Sequence, residues 1–300
     1  MLTSATVMQV LEHAVIRLRN SAAAQTQTPD LDAEVLLGVA MGCSRATLKA
    51  FPERTVETAA LVQFRDWIER RSQGQPVAYL LQGRGFWTLD LEVSPDVLIP
   101  RPETELLVEH ALQLANASPS AQAGWAVADL GTGSGAIALA IASERPQWQV
   151  WATDISEAAL AVAQRNARRL RLDVRFSHGA WCEALPEGVR WNMIISNPPY
   201  ISDQDPHLAQ GDLRFEPRSA LVAADAGFMD LQTIANQARN RLLADGWLLL
   251  EHGYSQGREL RQRLQASGYV EVNTIRDLGG HERVTFGRWP GDMSKDDNHA

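Results

Sequence analysis

Trp125-Ala126-Val127-Ala128-Asp129-Leu130-Gly131-Thr132-Gly133-Ser134-Gly135 decides how this chain is read. An apolar run of strand length ends in an acid and a loop with glycine at every second position, and a helix begins just after it. From Trp125 onward strand-like and helix-like stretches alternate, which is the pattern of a parallel sheet covered on both faces. The strands are expected near 125–130, 149–154, 172–177, 191–196, 246–251, 269–275 and 283–288. The last two are joined by the polar turn Asp277-Leu278-Gly279-Gly280-His281 with no helix between them, so the final strand is expected to run antiparallel. The fold class is therefore α/β, a Rossmann-like sheet of seven strands.

The glycines let backbone approach a ligand closely, and the helix N-terminus adds orphan N–H donors with a partial positive charge. Asp154 ends the second strand, where a carboxylate accepts hydrogen bonds from ribose hydroxyls. A nucleoside-containing ligand follows. Gly131-x-Gly133-x-x-Ala136 also satisfies the dinucleotide fingerprint, so the loop alone does not choose the cofactor. Asp129 favours S-adenosylmethionine over a nicotinamide dinucleotide, because a carboxylate just before the first glycine attracts an ammonium and repels a pyrophosphate. Taken singly, Asp129 also reads as a loop or helix-capping carboxylate and Asp154 as a turn residue beside the helix starting near Ser156.

The fourth strand, Trp191-Asn192-Met193-Ile194-Ile195-Ser196, delivers Asn197-Pro198-Pro199-Tyr200 to the sheet edge. Two prolines fix φ twice and remove two donors, leaving the Asn197 side chain and nearby carbonyls as a rigid set of acceptors. Such a set suits a substrate NH2 group. The nitrogen lone pair of an amide is delocalised, so the group reacts with a methyl donor only when both N–H bonds are held and the nitrogen is oriented; Asn197 Oδ1 and the Pro198 carbonyl fit that task. An isolated Asn-Pro dipeptide would otherwise mark a stiff turn.

Outside this region, apolar residues recur at helical spacing in Val7, Val10, Leu11, Ala14 and Leu18. A second helix is expected from Pro29 with Leu31, Val35, Leu36 and Val39, a short third from Ser44, and a fourth from Thr55 with Leu61, Phe64, Trp67 and Ile68. Gly74-Gln75-Pro76 breaks the last of these, and Phe86–Val93 alternates with strand period as part of a β-hairpin linker. The helix through Leu106, Leu107, His110 and Leu114 follows Pro100-Arg101-Pro102-Glu103-Thr104-Glu105. The expected division is a helical docking domain over 1–73, a linker over 74–105, a catalytic domain over 106–289 and a disordered tail over 290–300, with a small-residue loop at 117–124. A net charge of -8 argues against affinity built on nucleic-acid phosphates, and the arginines 165, 168, 169, 171 and 175 read as a solvated helix face. Cys43 and Cys182 stand alone, so neither a disulfide framework nor a metal site is indicated. With no signal peptide and no membrane-length apolar run, a cytoplasmic protein is expected.

Taken together, these motifs resemble the release-factor glutamine N5-methyltransferases, a class I S-adenosylmethionine-dependent family. The resemblance spans nearly the whole chain. It rests on Pro76-Val77-Ala78-Tyr79-Leu80, Gly85-Phe86-Trp87, Leu98-Ile99-Pro100-Arg101-Pro102-Glu103-Thr104-Glu105, the Asp129–Gly135 loop, Asn197-Pro198-Pro199-Tyr200-Ile201 and Glu216-Pro217-Arg218-Ser219-Ala220-Leu221. It implies that Asp129, Gly131, Thr132, Gly133, Ser134, Gly135, Asp154 and Asn197 hold the cofactor. Trp181 occupies the place of a tryptophan near the adenine, although beside Cys182 it also reads as a core aromatic. Asn197, Pro198, Pro199 and Tyr200 match the substrate-binding tetrapeptide, with Tyr200 packing on the flat amide or, alternatively, on the sheet edge. The implied reaction is in-line methyl transfer to the glutamine of the Gly-Gly-Gln motif of peptide-chain release factors, by a monomer that needs no metal and no histidine base. Glutamine methylation of a ribosomal protein, N-methylation of an adenine or guanine amine, and a non-catalytic cofactor sensor are the alternatives. The His281-Glu282-Arg283 turn, far from these motifs in sequence, is read as a structural connection.

Overall fold

The first helix, α1 (Val7–Arg19), begins where Thr6 and Gln9 satisfy each other's backbone N–H groups, at 3.4 and 3.1 Å. It packs with α2 (Pro29–Ala40), α3 (Arg45–Ala50) and α4 (Thr58–Ser72) around Leu18, Leu36, Leu37, Leu48 and Phe64. The computed structural model describes residues 5–118 and 124–291; most of the loop expected at 117–124 and of the tail expected at 290–300 lies outside them.

Two details of this bundle differ from the periodicity. The buried face of α2 is Asp32, Ala33, Leu36 and Leu37, while Leu31 and Val39 are exposed. The stripe is rotated because it carries a charge: buried Asp32 accepts from Thr26 (2.7 Å) and from buried Arg71 (2.8 Å). The fourth helix starts at Thr58, because Thr55 forms an antiparallel bridge with Thr6. A short α5 (Val77–Leu81) follows the Gly-Gln-Pro break. The unit built this way comprises Met1–Gly83 together with Pro206–Phe215. Arg71 also donates to Asp212 (3.0 Å), Gly211 N donates to Gln25 (2.7 Å) and Arg214 donates to the Ala23 carbonyl (2.8 Å).

The second unit comprises Arg84–Asp205 and Glu216–Ala300. The hairpin of β1 (Gly83–Phe86) and β2 (Leu89–Glu92) turns at Trp87, whose backbone N–H and indole N–H are held at 2.7 Å by Glu105 and Glu144. A 3-10 turn at Pro102–Thr104 then leads into α6 (Glu105–Asn116). The seven-stranded sheet consists of β3 (Ala126–Leu130), β4 (Gln149–Asp154), β5 (Arg175–His178), β6 (Trp191–Ser196), β7 (Leu242–Glu251), β8 (Val270–Arg276) and β9 (Glu282–Trp289). Its order is β5-β4-β3-β6-β7-β9-β8, with β9 antiparallel to both neighbours. The final strand therefore inserts between β7 and β8.

Period-two alternation assigns the two faces. Val127, Met193, Ile195 and Leu249 enter one core with α7 (Ala136–Glu144), while Ala128, Leu130, Ile194, Leu248 and Leu250 enter the other with α9 (Met229–Ala238) and α10 (Gly257–Ala266). Both faces are buried, which is why these strands read as continuous apolar runs. The amphipathic α8 (Glu157–Leu170) is capped by Ser156 and exposes its arginines; Arg165 pairs with Glu92 at 2.7 Å. Strand order reverses between β3 and β6, where Leu130 aligns with Ser196 and also with Thr153 of β4. The next residues along these strands, Gly131, Asn197 and Asp154, therefore emerge at one edge, the position at which doubly wound sheets bind ligands.

Candidate functional site

A pocket of about 340 Å³ opens at this edge. Gly131, Thr132, Gly133, Ser134, Asp154, Trp181, Asn197 and Pro199 line it, together with Thr104, Ile155 and Asp230. Four other residues singled out from the sequence, Asp129, Gly135, Pro198 and Tyr200, are not among the residues that line it.

The glycine loop is held from below. Gly131 N and Thr132 N both donate to the Thr153 carbonyl at 2.9 Å, and Gly133 N donates to Asp154 Oδ2 at 2.9 Å. Asp154 Oδ1 accepts from Ser156 N at 2.9 Å, so the carboxylate fixes the loop on one side and the start of α8 on the other. Burial raises the Asp154 pKa, against the effect of these backbone donors. Asp129 is 1 % exposed. Its Oδ2 accepts from the Thr132 hydroxyl (2.6 Å) and from Ala138 N (3.2 Å), while Oδ1 is buried with no hydrogen-bond partner. Burial pushes this carboxyl up to about 7. Gly135 stands just before α7 with φ +87°, and a Cβ there would meet Leu139 at 2.9 Å; its glycine serves the loop-to-helix corner.

Trp181 covers the first glycine: a Cβ on Gly131 would lie 3.1 Å from the indole ring. Asp230, in the first turn of α9, lines the same pocket, and burial raises its pKa against the lowering effect of the Trp181 side chain. Cys182 beside it is buried and its thiol is pushed up to about 12, so it stays protonated.

The tetrapeptide is anchored from both ends. Ser196 donates to the Leu130 carbonyl at 2.6 Å across the β3–β6 pair. Asn197 Nδ2 donates to Thr104 Oγ1 at 3.1 Å. The Tyr200 hydroxyl donates to Glu251 Oε1 at 3.2 Å, and the Tyr200 carbonyl accepts from Gln256 Nε2 at 3.2 Å. Burial raises the pKa values of Tyr200 and Glu251, the latter to about 7. Arg101 donates to Glu216 at 2.5 Å and so joins the two arginine-proline motifs at the pocket wall, where Pro100, Pro217 and Ser219 also lie.

Several of these residues carried little signal in the sequence. Ile155 is 68 % exposed, an apolar surface beside Asp154 that its place directly after a strand-end acid could have marked. Thr104 sits in the Pro100-to-Glu105 segment quoted for the resemblance, and only the fold selects it from its neighbours. The His281-Glu282-Arg283 turn forms the connection read from the sequence, with Arg283 donating to Asp277 at 2.8 Å, and the strand insertion that carries β9 alongside β7 also brings the Arg283 charge close enough to act on Tyr200 and Glu251. His252, next to Glu251, is committed to Gly253 O and Thr285 Oγ1 at 2.8 Å each, and burial lowers its pKa.

Comparisons with known proteins agree with this geometry. The family model "Methyltransferase small domain" matches residues 103–214, and "PrmC N-terminal domain" matches residues 9–81. A curated Release factor glutamine methyltransferase of Pseudomonas aeruginosa is 54% identical over 275 residues, covering 91% of this chain and 97% of that protein. The one from Escherichia coli is 46% identical and covers 93% and 97%. Among solved structures, the catalytic domain of hMettl16 in complex with an RNA hairpin has a TM-score of 0.54 at 13% identity, covering 80% of this chain and 86% of that one; this is a likeness of fold. With a pocket built at the switch point of a seven-stranded sheet and near-full-length relatives at this identity, the chain belongs to the family of release factor glutamine methyltransferases.

Proposed function

We propose that this protein transfers a methyl group from S-adenosylmethionine to the side-chain N5 of the glutamine in the Gly-Gly-Gln motif of a peptide-chain release factor. One observation carries the reading: the glycine loop with Asp154 and the Asn197 tetrapeptide share one pocket wall, so a cofactor and an amide nitrogen can meet there. The residues fit the cofactor. A Cβ on Gly133 would meet nothing within 4 Å, so the loop leaves open space where a nucleoside approaches, and Asp129 Oδ1 is a buried acceptor with no partner. Gly131 to Gly135 would hold the cofactor backbone, Asp154 its ribose hydroxyls, Ile155 and Trp181 its adenine, and Asp129 its ammonium. When bound, S-adenosylmethionine supplies an electrophilic methyl group on a sulfonium.

The chain's own contribution is orientation. Asn197 Oδ1 and the Pro198 carbonyl would accept the two N–H bonds of the substrate amide, with Tyr200 confining the plane of the group. Holding two reactants in register can contribute about 7–11 kcal/mol to a rate. No strong base is required, because the nitrogen becomes acidic as its new bond forms and can lose its proton late through the same acceptors. The helical unit would dock the release factor, and the protein would work as a cytoplasmic monomer without direct nucleic-acid contact. Among the described residues, no helix is long and apolar enough to cross a membrane.

Incubating the protein with labelled S-adenosylmethionine and, separately, release factor, ribosomes or DNA, followed by mass mapping, tests this reading. One added methyl on the Gly-Gly-Gln glutamine is expected; label confined to ribosomal protein or nucleic acid would replace the substrate.

Two further expectations concern the cofactor. Replacing Asp154 by Ala removes a charged acceptor for ribose and frees the Gly133 N–H, and should weaken S-adenosylmethionine binding about 10- to 100-fold by calorimetry. Affinity unchanged in that variant would place the ribose elsewhere. The pH dependence follows from Asp129, whose carboxyl titrates at about 7 when free. An ammonium partner favours the ionised form, so binding releases a proton below that pH. The dissociation constant should therefore tighten by up to about tenfold per pH unit on approaching pH 7 from below and level off above it. Asp129→Asn should flatten the profile, and a flat profile in the wild type would remove Asp129 from the ammonium site.

A further inference from the structure

We propose that Gln256 is a positioning residue: its side-chain amide pins the peptide unit that leaves Tyr200, and so keeps the tyrosine in fixed relation to the Asn197 and Pro198 acceptors. The inference rests on the proposed reaction and deepens it.

The tetrapeptide is stiff at one end and soft at the other. Proline fixes φ at residues 198 and 199, and a following proline confines Asn197 and Pro198 to extended ψ, so the first half is settled by sequence alone. Pro199 ψ and both torsions of Tyr200 are not. They are the bonds that turn the tyrosine relative to the Pro198 carbonyl, and a group outside the tetrapeptide must hold them if the acceptors and the surface that confines the substrate amide are to keep one geometry.

That hold is made at the peptide between Tyr200 and Ile201. Its N–H, on Ile201, donates to the Leu221 carbonyl at 3.0 Å, and its carbonyl, on Tyr200, accepts from Gln256 Nε2 at 3.2 Å. A planar unit held at one edge can swing about that contact; held at both edges it cannot. The Tyr200 hydroxyl is fastened separately to Glu251 at 3.2 Å, so the residue is tied at its backbone and at its ring tip.

Gln256 is 7 % exposed and both ends of its amide are engaged. Nε2 also donates to the Ala226 carbonyl at 3.2 Å, and Oε1 accepts from Gly253 N at 2.8 Å. Carbonyls only accept and a backbone N–H only donates, so this amide cannot be reversed. One side chain thus joins the ends of β6 and β7 to the turn before α9. In that turn Asp225, Ala226 and Gly227 have φ +53°, +51° and +89°, a run that L-residues rarely adopt. Such backbone persists where its surroundings over-determine it, commonly at functional sites. Here the restraint comes from α10 and the residue before it: Arg263 pairs with Asp225 at 3.3 Å and stands 4.5 Å from the Phe228 ring, while Gln256 takes Ala226. Of the two side chains, Gln256 is the one bonded to Tyr200.

The test compares Gln256→Met, Gln256→Glu and Arg263→Met with wild type in steady-state methylation of release factor, calorimetric binding of S-adenosylmethionine, thermal melting and backbone hydrogen exchange. Gln256→Met keeps the length of the side chain and removes its bonds to Tyr200, Ala226 and Gly253. It should lower kcat by about 10- to 100-fold, the loss that follows a small misplacement at a reacting centre, with KM for release factor and the cofactor dissociation constant changed less than about threefold. Gln256→Glu keeps an acceptor for Gly253 N–H but sets a carboxylate oxygen against the Tyr200 carbonyl; at about pH 8.5, where the new carboxyl is ionised, it should lose rate as Gln256→Met does. It also carries the test should Gln256→Met fail to fold. Arg263→Met loosens the same turn from the other side: its melting temperature should fall while its rate stays within about threefold of wild type. Exchange of the Ile201 N–H should quicken at least about tenfold in both Gln256 variants, with the amides of Leu248 to Leu250 unchanged. A rate in the Gln256 variants within about threefold of wild type, an unaltered Ile201 exchange rate, or a loss of rate in Arg263→Met equal to theirs would overturn the inference. The exchange measurement needs no substrate, so a wild-type protein inactive on release factor would refute the proposed reaction while leaving the hold on Tyr200 to be decided by exchange.

Discussion

Asn197→Ala is expected to lower the methylation rate about 1000-fold, a figure of the size found when preorganised groups at a reacting centre are removed. The truncation takes away the Oδ1 acceptor and also the contact of Nδ2 with Thr104, so the substrate amide loses an orienting partner and the wall loses its brace. Because the side chain also lines the shared pocket, cofactor affinity should change as well, but by far less than the rate. Single-turnover transfer measured beside calorimetric cofactor binding separates the two. A rate within tenfold of wild type would move the substrate nitrogen away from the tetrapeptide.

Gly227→Ala should produce the largest loss of stability of any single methyl addition near the site. Gly227 has φ +89°, and a Cβ there would fall 2.1 Å from the Tyr200 carbonyl oxygen, 2.8 Å from its carbon and 2.7 Å from Gln256 Nε2. A left-handed alanine costs roughly 1–2 kcal/mol by itself. The clash adds to this, because Tyr200 is held by Gln256 and Glu251 and cannot retreat alone. A total of at least about 3 kcal/mol follows, equivalent to a fall in melting temperature of roughly 6–12 °C for a unit of this size. Methylation should fall with it, since the displaced carbonyl belongs to the tetrapeptide. A melting temperature within two or three degrees of wild type would mean that the turn relaxes freely, and the rigidity assigned to the Tyr200 region would be withdrawn.

The sheet was legible because its strands are buried on both faces: Val127 to Leu130 and Met193 to Ile195 could satisfy no other environment. The antiparallel final strand followed from the short turn at Asp277–His281, but its insertion between β7 and β8 did not, because local sequence says nothing about which edge a returning strand finds. That insertion is also why the nearness of Arg283 to Tyr200 and Glu251 could not be read from the sequence. Among the site residues, those following strand ends were visible as a set, since the period of the fold delivers Gly131, Asp154 and Asn197 to one edge. Thr104 and Glu251 were not, because a lone threonine and a lone glutamate acquire meaning only through partners 93 and 51 residues away. The face of α2 was misread for a related reason. Apolar periodicity counts carbon, and the helix turns inward on Asp32, whose burial depends on an arginine two helices later.

That arginine has a consequence for how the protein can be divided. Arg71 grips Asp212 as well as Asp32, and Arg214 and Gly211 are fastened to Ala23 and Gln25, so the helical unit owns ten residues that the chain inserts between β6 and β7. The bundle is therefore not an appendage that begins and ends before the sheet does. A cut after residue 83 would leave Pro206–Phe215 stranded in the remaining polypeptide and a buried guanidinium short of one carboxylate in the fragment removed. Modular exchange of the N-terminal segment with that of another protein, by engineering or by recombination, has to carry both pieces of sequence or neither, which makes the two halves of this chain inherit one another's changes.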